Sequence, residues 1–337
     1  MAAPHHARRR RILRAIITSA VAIGAIALVW RALGRPVAWR SVQFQPVPII
    51  LAFAGALGFL LARAWRYHLL LPRHRPGAGQ LVGMTAASWA IGLLVPGPSA
   101  DASFVGMAKN SLDVGVARAT GVSIVGRALD VVSLGVVAVL ASLLSSGHEP
   151  RGAVVAAAVA GLIGAAGLVL MFSSGPRRLF LRQLARVDRA RSWAERTDAA
   201  LSDIGSPRRL TLLSASTALC RVSTAVEYVA LFALIGFHLG FWQVWFVLAI
   251  RSFLTAIPIQ GIAGIGTSQA WWTSALVLEG VMASDAVAAS ITLQVLDLAV
   301  ALPLSAVVVA LTTRRGYRRP ATRRYTSAVS TAARDQV

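Results

Sequence analysis

The sequence predicts an all-α, polytopic helical membrane protein of about eight spans with re-entrant or broken segments, and three observations carry that reading. Hydrophobic residues make up 56% of the 337 positions and charged residues only 14%, too little polar surface for a soluble chain of that length. Apolar runs approaching the roughly 20 residues needed to cross a bilayer core recur along the chain, separated by basic blocks. Two apolar stretches are interrupted by proline and glycine, at Leu94–Asp101 and Ala256–Gln269. Irregular backbone at membrane depth is tolerated only where protein or a wet cavity satisfies its N–H and C=O groups, so each break marks a candidate site.

The net charge of +21 sits almost wholly in four polar blocks: Met1–Arg14 (+5), Arg63–Gln80 (+4), Ser173–Arg209 (+5) and Arg314–Val337 (+6). The positive-inside rule places such blocks in the cytoplasm against anionic headgroups, which predicts a multi-pass protein of the cell (inner) membrane with both termini cytoplasmic. The same distribution excludes nucleic acid as a partner, because no aromatic-interleaved basic fold accompanies the charge. The single cysteine, Cys220, lies in an apolar run and cannot form an internal disulfide.

Residues 1–46 form an N-terminal cytoplasmic arm and a first membrane helix. The apolar run Ile12–Trp30 follows four arginines, Arg8 to Arg11, and no small-x-small site follows it, so it is expected to stay uncleaved. Residues 47–172 form the first membrane half, with a broken segment at 94–104. Its spans are Val47–Leu61, Gly121–Leu144 and Ala153–Phe172, while Leu81–Val95 is too short to cross and reads as re-entrant. Residues 173–209 form a basic cytoplasmic loop, where Leu179, Phe180, Leu184, Val187 and Trp193 recur at helical spacing among arginines. That loop either lies on the inner leaflet or packs on the bundle as a solvated helix, and it leaves room for a cytoplasmic protein partner. Residues 210–312 form the second membrane half, with a broken segment at 257–269 and spans at Leu210–Ile235, Phe241–Ile257, Thr267–Gly280 and Ala286–Leu311. Residues 313–337 are a basic cytoplasmic tail.

A faint internal repeat relates the halves. Pro96 precedes Arg127-Ala128-Leu129-Asp130, and Pro258 precedes Gln294-Val295-Leu296-Asp297, so each break is followed by a helix with a polar residue three before an aspartate. The count of crossings does not by itself make the halves inverted.

Charged groups within the spans need partners or a purpose, because each costs on the order of 2.5 to 3.5 kcal/mol to insert. Arg127 and Asp130 share a helix face and are in reach of each other, so a structural ion pair competes with a substrate role. Asp101 follows Pro96-Gly97-Pro98, where it either caps a short helix or meets a ligand. Arg251 either snorkels or holds a phosphate, and Gln269 at a helix start suits an anion. Arg221 and Glu227, six apart, require partners on other helices. Asp297 has no cation nearby in sequence and pairs with Arg251, Arg221 or a proton. The site expected from these residues comprises Asp101, Arg127, Asp130, Arg251, Gln269 and Asp297 as substrate-binding groups, with Pro96, Gly97, Pro258, Gly261, Gly264 and Gly266 shaping the loop backbone. No P-loop, no G-x-G-x-x-G after a strand, no H-E-x-x-H and no cysteine cluster is present, so no catalytic residue, metal or cofactor is expected.

With both breaks and their following helices in view, the chain resembles the membrane domain of the lysylphosphatidylglycerol synthases, a family of flippase-like integral membrane proteins. The first motif of that family runs Leu-Pro-Gly, two variable positions, Gly-Glu and an arginine three residues on, followed by a helix with Glu-Arg-x-x-Asp. Leu94-Val95-Pro96-Gly97-Pro98-Ser99-Ala100-Asp101 and Gly126-Arg127-Ala128-Leu129-Asp130 match its outline. The second, Pro-x-x-x-Gly-Gly-x-Gly-x-x-Glu, is matched by Pro258 through Gln269. Ala100, Asp101, Phe104, Gln269 and Gln294 depart from the family's glycine, glutamate, arginine, glutamate and arginine. The resemblance covers about Val47 to Leu311 and implies lipid handling. In the synthases a separate cytosolic domain transfers the aminoacyl group, and nothing in these 337 residues resembles it, so transfer by this chain alone is not expected.

The function expected from these readings is a lipid flippase or translocase moving a phospholipid or glycolipid headgroup, most simply an anionic one, through a polar cavity between the halves. Two alternatives stand beside it: a membrane-embedded transferase acting on a lipid-linked substrate, and a non-transporting membrane scaffold. Oligomeric state is not indicated.

Overall fold

The computed structural model describes residues 42–71, 76–95, 99–144, isolated positions between 154 and 179, and residues 207–255 and 267–316. The first predicted helix, the basic loop around 180–206, the C-terminal tail and the glycine-rich break at 256–266 lie outside these residues. So do Pro96, Gly97, Pro258, Gly261, Gly264 and Gly266. The described residues are all-α, and their eight bounded helices are α1 (Pro46–Leu70), α2 (Ala78–Leu94), α3 (Ser99–Leu112), α4 (Val116–Leu144), α5 (Pro207–Leu234), α6 (Phe241–Thr255), α7 (Thr267–Leu278) and α8 (Ala283–Gly316). Described positions between 154 and 169 are helical as well.

Among the described residues, four helices are long and apolar enough to cross a membrane: α1, α4, α5 and α8. With 25, 29, 28 and 34 residues they extend about 37 to 51 Å at 1.5 Å per residue, beyond the roughly 30 Å hydrocarbon core. The protein is thus a multi-pass membrane protein. The other four, with 17, 14, 15 and 12 residues, are too short to cross alone and pack as two pairs, α2 on α3 and α6 on α7, each pair flanking one of the sequence breaks.

Helix α1 shows how the bundle sorts its side chains. Val47, Ile50, Leu51, Leu57, Leu61 and Trp65 form a stripe of exposed large apolar residues at helical spacing, whereas Ala52, Gly55, Ala56, Ala62 and Ala64 are buried. Lipid is as apolar as a core, so helices associate through small residues that let backbones approach, and a stripe of bulky apolar residues is left facing outward while Leu60, Tyr67 and Leu70 pack inside. The closest approach is to α5. A Cβ on Gly55 would lie 2.6 Å from the Glu227 backbone nitrogen, and one on Gly58 would lie 2.7 Å from the Ser223 hydroxyl. Further along, the Cys220 thiol faces the Phe59 carbonyl at 4.0 Å. As residue numbers rise along α1 from 55 to 59 they fall along α5 from 227 to 220, so the two helices run antiparallel.

This pairing reveals the relation between the halves. Each half is a long helix, a pair of short helices around a break, and a second long helix: α1 to α4, then α5 to α8. Among the described helices the α1–α5 contact is the most extensive, α2 packs on α8, and α6 packs on α4, so each half lends its first short helix to the other half's last long one. An exchange of this kind about an antiparallel pair is what an inverted repeat requires. Proline 303 sits inside α8, where neighbouring helices have to satisfy the freed carbonyl.

The Gly55 contact is therefore a strong constraint. Gly55→Ala is expected to destabilise the protein by about 1–3 kcal/mol through overpacking against backbone. Gly106→Ala, at a helical position with open space around it, is expected to be neutral or stabilising by up to ~1 kcal/mol. Thermal unfolding of the two detergent-solubilised variants checks the contrast.

Candidate functional site

The charged residues of the first half assemble where α1, α4 and α5 meet. Arg66, one turn before the end of α1, places Nη1 2.8 Å from Oδ1 of Asp130 on α4 and Nη2 3.3 Å from Oδ2. Arg221 of α5 donates from Nη2 to the same Oδ1 at 2.7 Å and from Nε to the Ser133 hydroxyl at 2.9 Å. One carboxylate thus serves two guanidinium groups, leaving the trio one positive charge in excess. The side chains of Arg66 and Arg221 are only 3% and 15% exposed, so this excess is held in the protein interior and not at a wet surface. Arg63 extends the basic side with its Nε donating to the Tyr67 hydroxyl at 3.3 Å.

Arg127 and Asp130 share a helix face, as the spacing predicts, but they do not pair. Arg127 donates from Nε to Asp101 Oδ2 at 2.8 Å, joining α4 to the first turn of α3, and its side chain is 60% exposed. The reason is geometric: three residues on, Asp130 points at α1 and α5, where two buried arginines neutralise it better than one half-solvated neighbour would. Beside the buried trio lies a narrow cleft between α4, α5 and α6, lined by Arg221, Thr224, Trp245 and Ser252 among others and wide enough for about one water molecule.

The second half repeats this layout with altered chemistry. Tyr67 of α1 stacks on Phe104 of α3 with ring centroids 3.9 Å apart, and Tyr228 of α5 meets Trp272 of α7 at 4.9 Å. Arg66 precedes the first tyrosine, and Glu227 precedes the second. Asp130 faces Arg66; Asp297 of α8 lies within electrostatic reach of Glu227 and accepts a hydrogen bond from the Tyr228 hydroxyl. Where Asp101 ties α3 to α4 through Arg127, the Ser268 hydroxyl ties α7 to α8 by donating to Gln294 Oε1. Arg251 of α6 neither snorkels nor stands alone, since its guanidinium lies 4.6 Å from the Trp272 ring centroid and within reach of Glu227 and Asp297.

The six residues expected to line one cavity therefore fall into two clusters. Asp101, Arg127 and Asp130 belong to the first; Arg251, Gln269 and Asp297 belong to the second, with Gln269 buried at the start of α7. Sequence reasoning did not select Arg66, which lies in the Arg63–Gln80 basic block, nor Tyr228, and it expected partners on other helices for Arg221 and Glu227 without identifying the ones they have. The signal available was the recurrence of Arg66-Tyr67 as Glu227-Tyr228, two residues in equivalent helices, which acquires meaning only once α1 and α5 are seen to be related.

Long apolar helices with exposed apolar stripes, enclosing buried ion pairs, define a multi-pass integral membrane protein. The chain belongs to the lysylphosphatidylglycerol synthase TM region family, whose model matches residues 12–319. It is thus a membrane protein of a lipid-handling family, and the resemblance read from the two broken motifs holds. Comparison with curated proteins and with solved structures gives no match.

The two ion pairs should differ sharply in weight. Asp130→Asn leaves two buried guanidinium groups without their counter-charge and is expected to cost about 3–5 kcal/mol. Arg127→Gln breaks a largely exposed pair and is expected to cost less than about 1 kcal/mol. Denaturant or thermal unfolding in matched detergent distinguishes them, and equal losses would show that burial does not set the hierarchy.

Proposed function

We propose that this protein moves an anionic phospholipid or glycolipid headgroup between membrane leaflets, with the first-half cluster as its headgroup site. The observation that carries the reading is the shared carboxylate of Asp130: two arginines for one acid, buried in a membrane bundle, leave a guanidinium able to accept a second anion. The Arg66 Nε is also buried and has no hydrogen-bond partner among the described residues. Arginine's planar donors suit the oxygens of a phosphate, and binding one would complete the neutralisation that Asp130 begins. Arg127, exposed and held by Asp101, provides the first contact on the solvent or headgroup side, and Arg221 borders the cleft that leads inward.

A cleft that admits a water molecule does not admit a headgroup, so transport requires α4, α5 and α6 to separate. An inverted repeat supplies the means, because two halves of opposite orientation can exchange conformations and open the site to either leaflet in turn. In this reading the short pairs α2–α3 and α6–α7 are re-entrant, acyl chains stay in lipid beside the exposed apolar stripe of α1, and the basic blocks lie in the cytoplasm of a cell-membrane protein with both termini inside. The 173–209 block adds a surface for a cytoplasmic protein partner.

Reconstitution tests this directly. In vesicles carrying fluorescently labelled phosphatidylglycerol, dithionite quenching should reveal translocation above the protein-free rate. Arg221→Gln is expected to reduce that rate at least about tenfold, the equivalent of about 1.4 kcal/mol. Arg221→Lys, which retains charge but not the planar fork, should retain part of it. A protein-free rate for the intact chain, with either labelled phosphatidylglycerol or a labelled anionic glycolipid, would refute the reading.

A further inference from the structure

The cluster in the second half has a different composition from the first, and the difference suggests a different ligand. We propose that Glu227 of α5 and Asp297 of α8 form a proton site, holding one exchangeable proton between them, with Arg251 and Tyr228 stabilising the carboxylate that remains ionised.

The argument begins with position. Glu227 stands in α5 where Arg66 stands in α1, each directly before the tyrosine that meets an aromatic ring of the following short helix. Asp297 stands in α8 where Asp130 stands in α4. The change of Arg66 to Glu227 turns an ion pair into a pair of acids. Glu227 is 2% exposed and Asp297 6% exposed, so water does not screen them from each other.

The charged and titratable groups around the pair can be enumerated from each neighbouring helix. α6 contributes Arg251, α8 contributes Asp297, and α5 itself contributes Tyr228 and, two turns away, Arg221, which is engaged by Asp130. Helix α1 has no titratable residue before Arg63 and presents Gly55 against Glu227, and α7 has none at all. α4 carries Arg118, Arg127 and Asp130, of which Arg127 and Asp130 belong to the first cluster. Two carboxylates therefore face a single guanidinium, and one negative charge is in excess.

The hydrogen bonds assign the excess. Asp297 has the Tyr228 hydroxyl as a donor, together with the attraction of Arg251. Glu227 has one carboxylate oxygen, Oε1, fully buried with no hydrogen-bond partner among the described residues. An ionised carboxylate is an acceptor at every lone pair, and leaving one unsatisfied in the interior is costly, whereas a carboxylic acid needs fewer donors and carries no charge. Glu227 is the proton's residence and Asp297 its ionised counterpart. The exchange is a simple one: the proton arrives from water and returns to water, and no other bond is made or broken.

The site also lies at a distinct depth. Gly55, which abuts Glu227, and Arg66 are 11 residues apart on α1, roughly 16 Å along the axis at 1.5 Å per residue. An anion site and a proton site separated in this way on the two antiparallel helices would let protonation bias the exchange of the two halves. That last step rests on the lipid-translocation reading; the proton site does not.

The test separates the two. Trp272 lies against both Arg251 and Tyr228, so its emission reports the charge state of the pair. The purified full chain in detergent is titrated with pH in choline chloride and again in sodium chloride. A fluorescence transition is expected that disappears in Trp272→Phe, is lost in Glu227→Gln, and has the same midpoint in both salts. Should Glu227→Gln not elute as a single species, Glu227→Asp and Asp297→Asn replace it, and each is expected to shift or abolish the transition. A transition unchanged in all of these variants overturns the proposal, as does one that tracks sodium at constant pH and so marks a metal-cation site. In proteoliposomes an imposed pH gradient should then change the rate of labelled-lipid movement in the intact chain and not in Glu227→Gln. If no lipid moves while the emission transition stands, the translocation reading fails and the proton site survives.

Discussion

The structure depends on one contact, the antiparallel approach of α1 and α5 at Gly55. A side chain there would collide with the backbone at Glu227, so the interface exists only because glycine permits it. In a bilayer this is the ordinary way to hold helices together, since burying large apolar groups gains nothing over leaving them in lipid. The same approach sets the register of everything else. It brings Arg66 and Arg221 to the same carboxylate on α4, and it carries Glu227 toward Asp297 on α8. The polar clusters follow from a small-residue contact that contains no polar side chain at its centre apart from Ser223.

Charge then explains why the two clusters are tolerated. A single charge in a spanning helix is costly, and every strongly buried ionic group described here faces an opposite charge or, in the second half, a shared one. The first half holds two cations on one acid; the second holds two acids beside one cation. The first cluster carries arginine in excess of acid and the second acid in excess of arginine. A purely structural ion pair has no reason for such an imbalance, because exact neutralisation minimises the cost of burial. An imbalance of opposite sign in two equivalent places is better explained by ligands of opposite sign, an anion in one half and a proton in the other.

Much of this was legible in the sequence, and what was not has physical causes. Apolar runs and their basic flanks identified α1, α4, α5 and α8, because a spanning helix announces itself by length and composition alone. Of the short helices, α2 was legible as a stretch too brief to cross and ended by proline, whereas α6 and α7 were expected to span at Phe241–Ile257 and Thr267–Gly280 and, with 15 and 12 residues, do not reach across. The two broken motifs pointed to the family that residues 12–319 match. The pairing within the site was hidden for a different reason. Spacing along one helix reports which residues share a face, so Arg127 and Asp130 looked like partners; it does not report what another helix brings to that face. Arg66 and Arg221 are 64 and 91 residues from Asp130 in sequence, and no local pattern links them. Inversion of the halves was equally out of reach, since it is a relation between helix directions and became apparent only when Gly55 was found against Glu227.

The departures from the family motifs gain a consistent meaning in this setting. Gln269 and Gln294 stand where the motif has a glutamate and an arginine, and both are found in the second cluster, with Ser268 bonded to Gln294. Gln294 still links α7 to α8, through the Ser268 hydroxyl, without a charge at either motif position. With those charges absent, Arg251, Glu227 and Asp297 interact with one another and not with a fourth and fifth charged group. Trp272, four residues beyond Ser268 on the same helix, shields them with its ring over Arg251. On the proposed reading, the second half has the elements of a proton site and not those of an anion site. The first half retained Arg127 and Asp130, and there the arginines remain in excess. On the proposed reading, the two halves, alike in helix order and opposite in direction, divide between them the recognition of negative and positive charge.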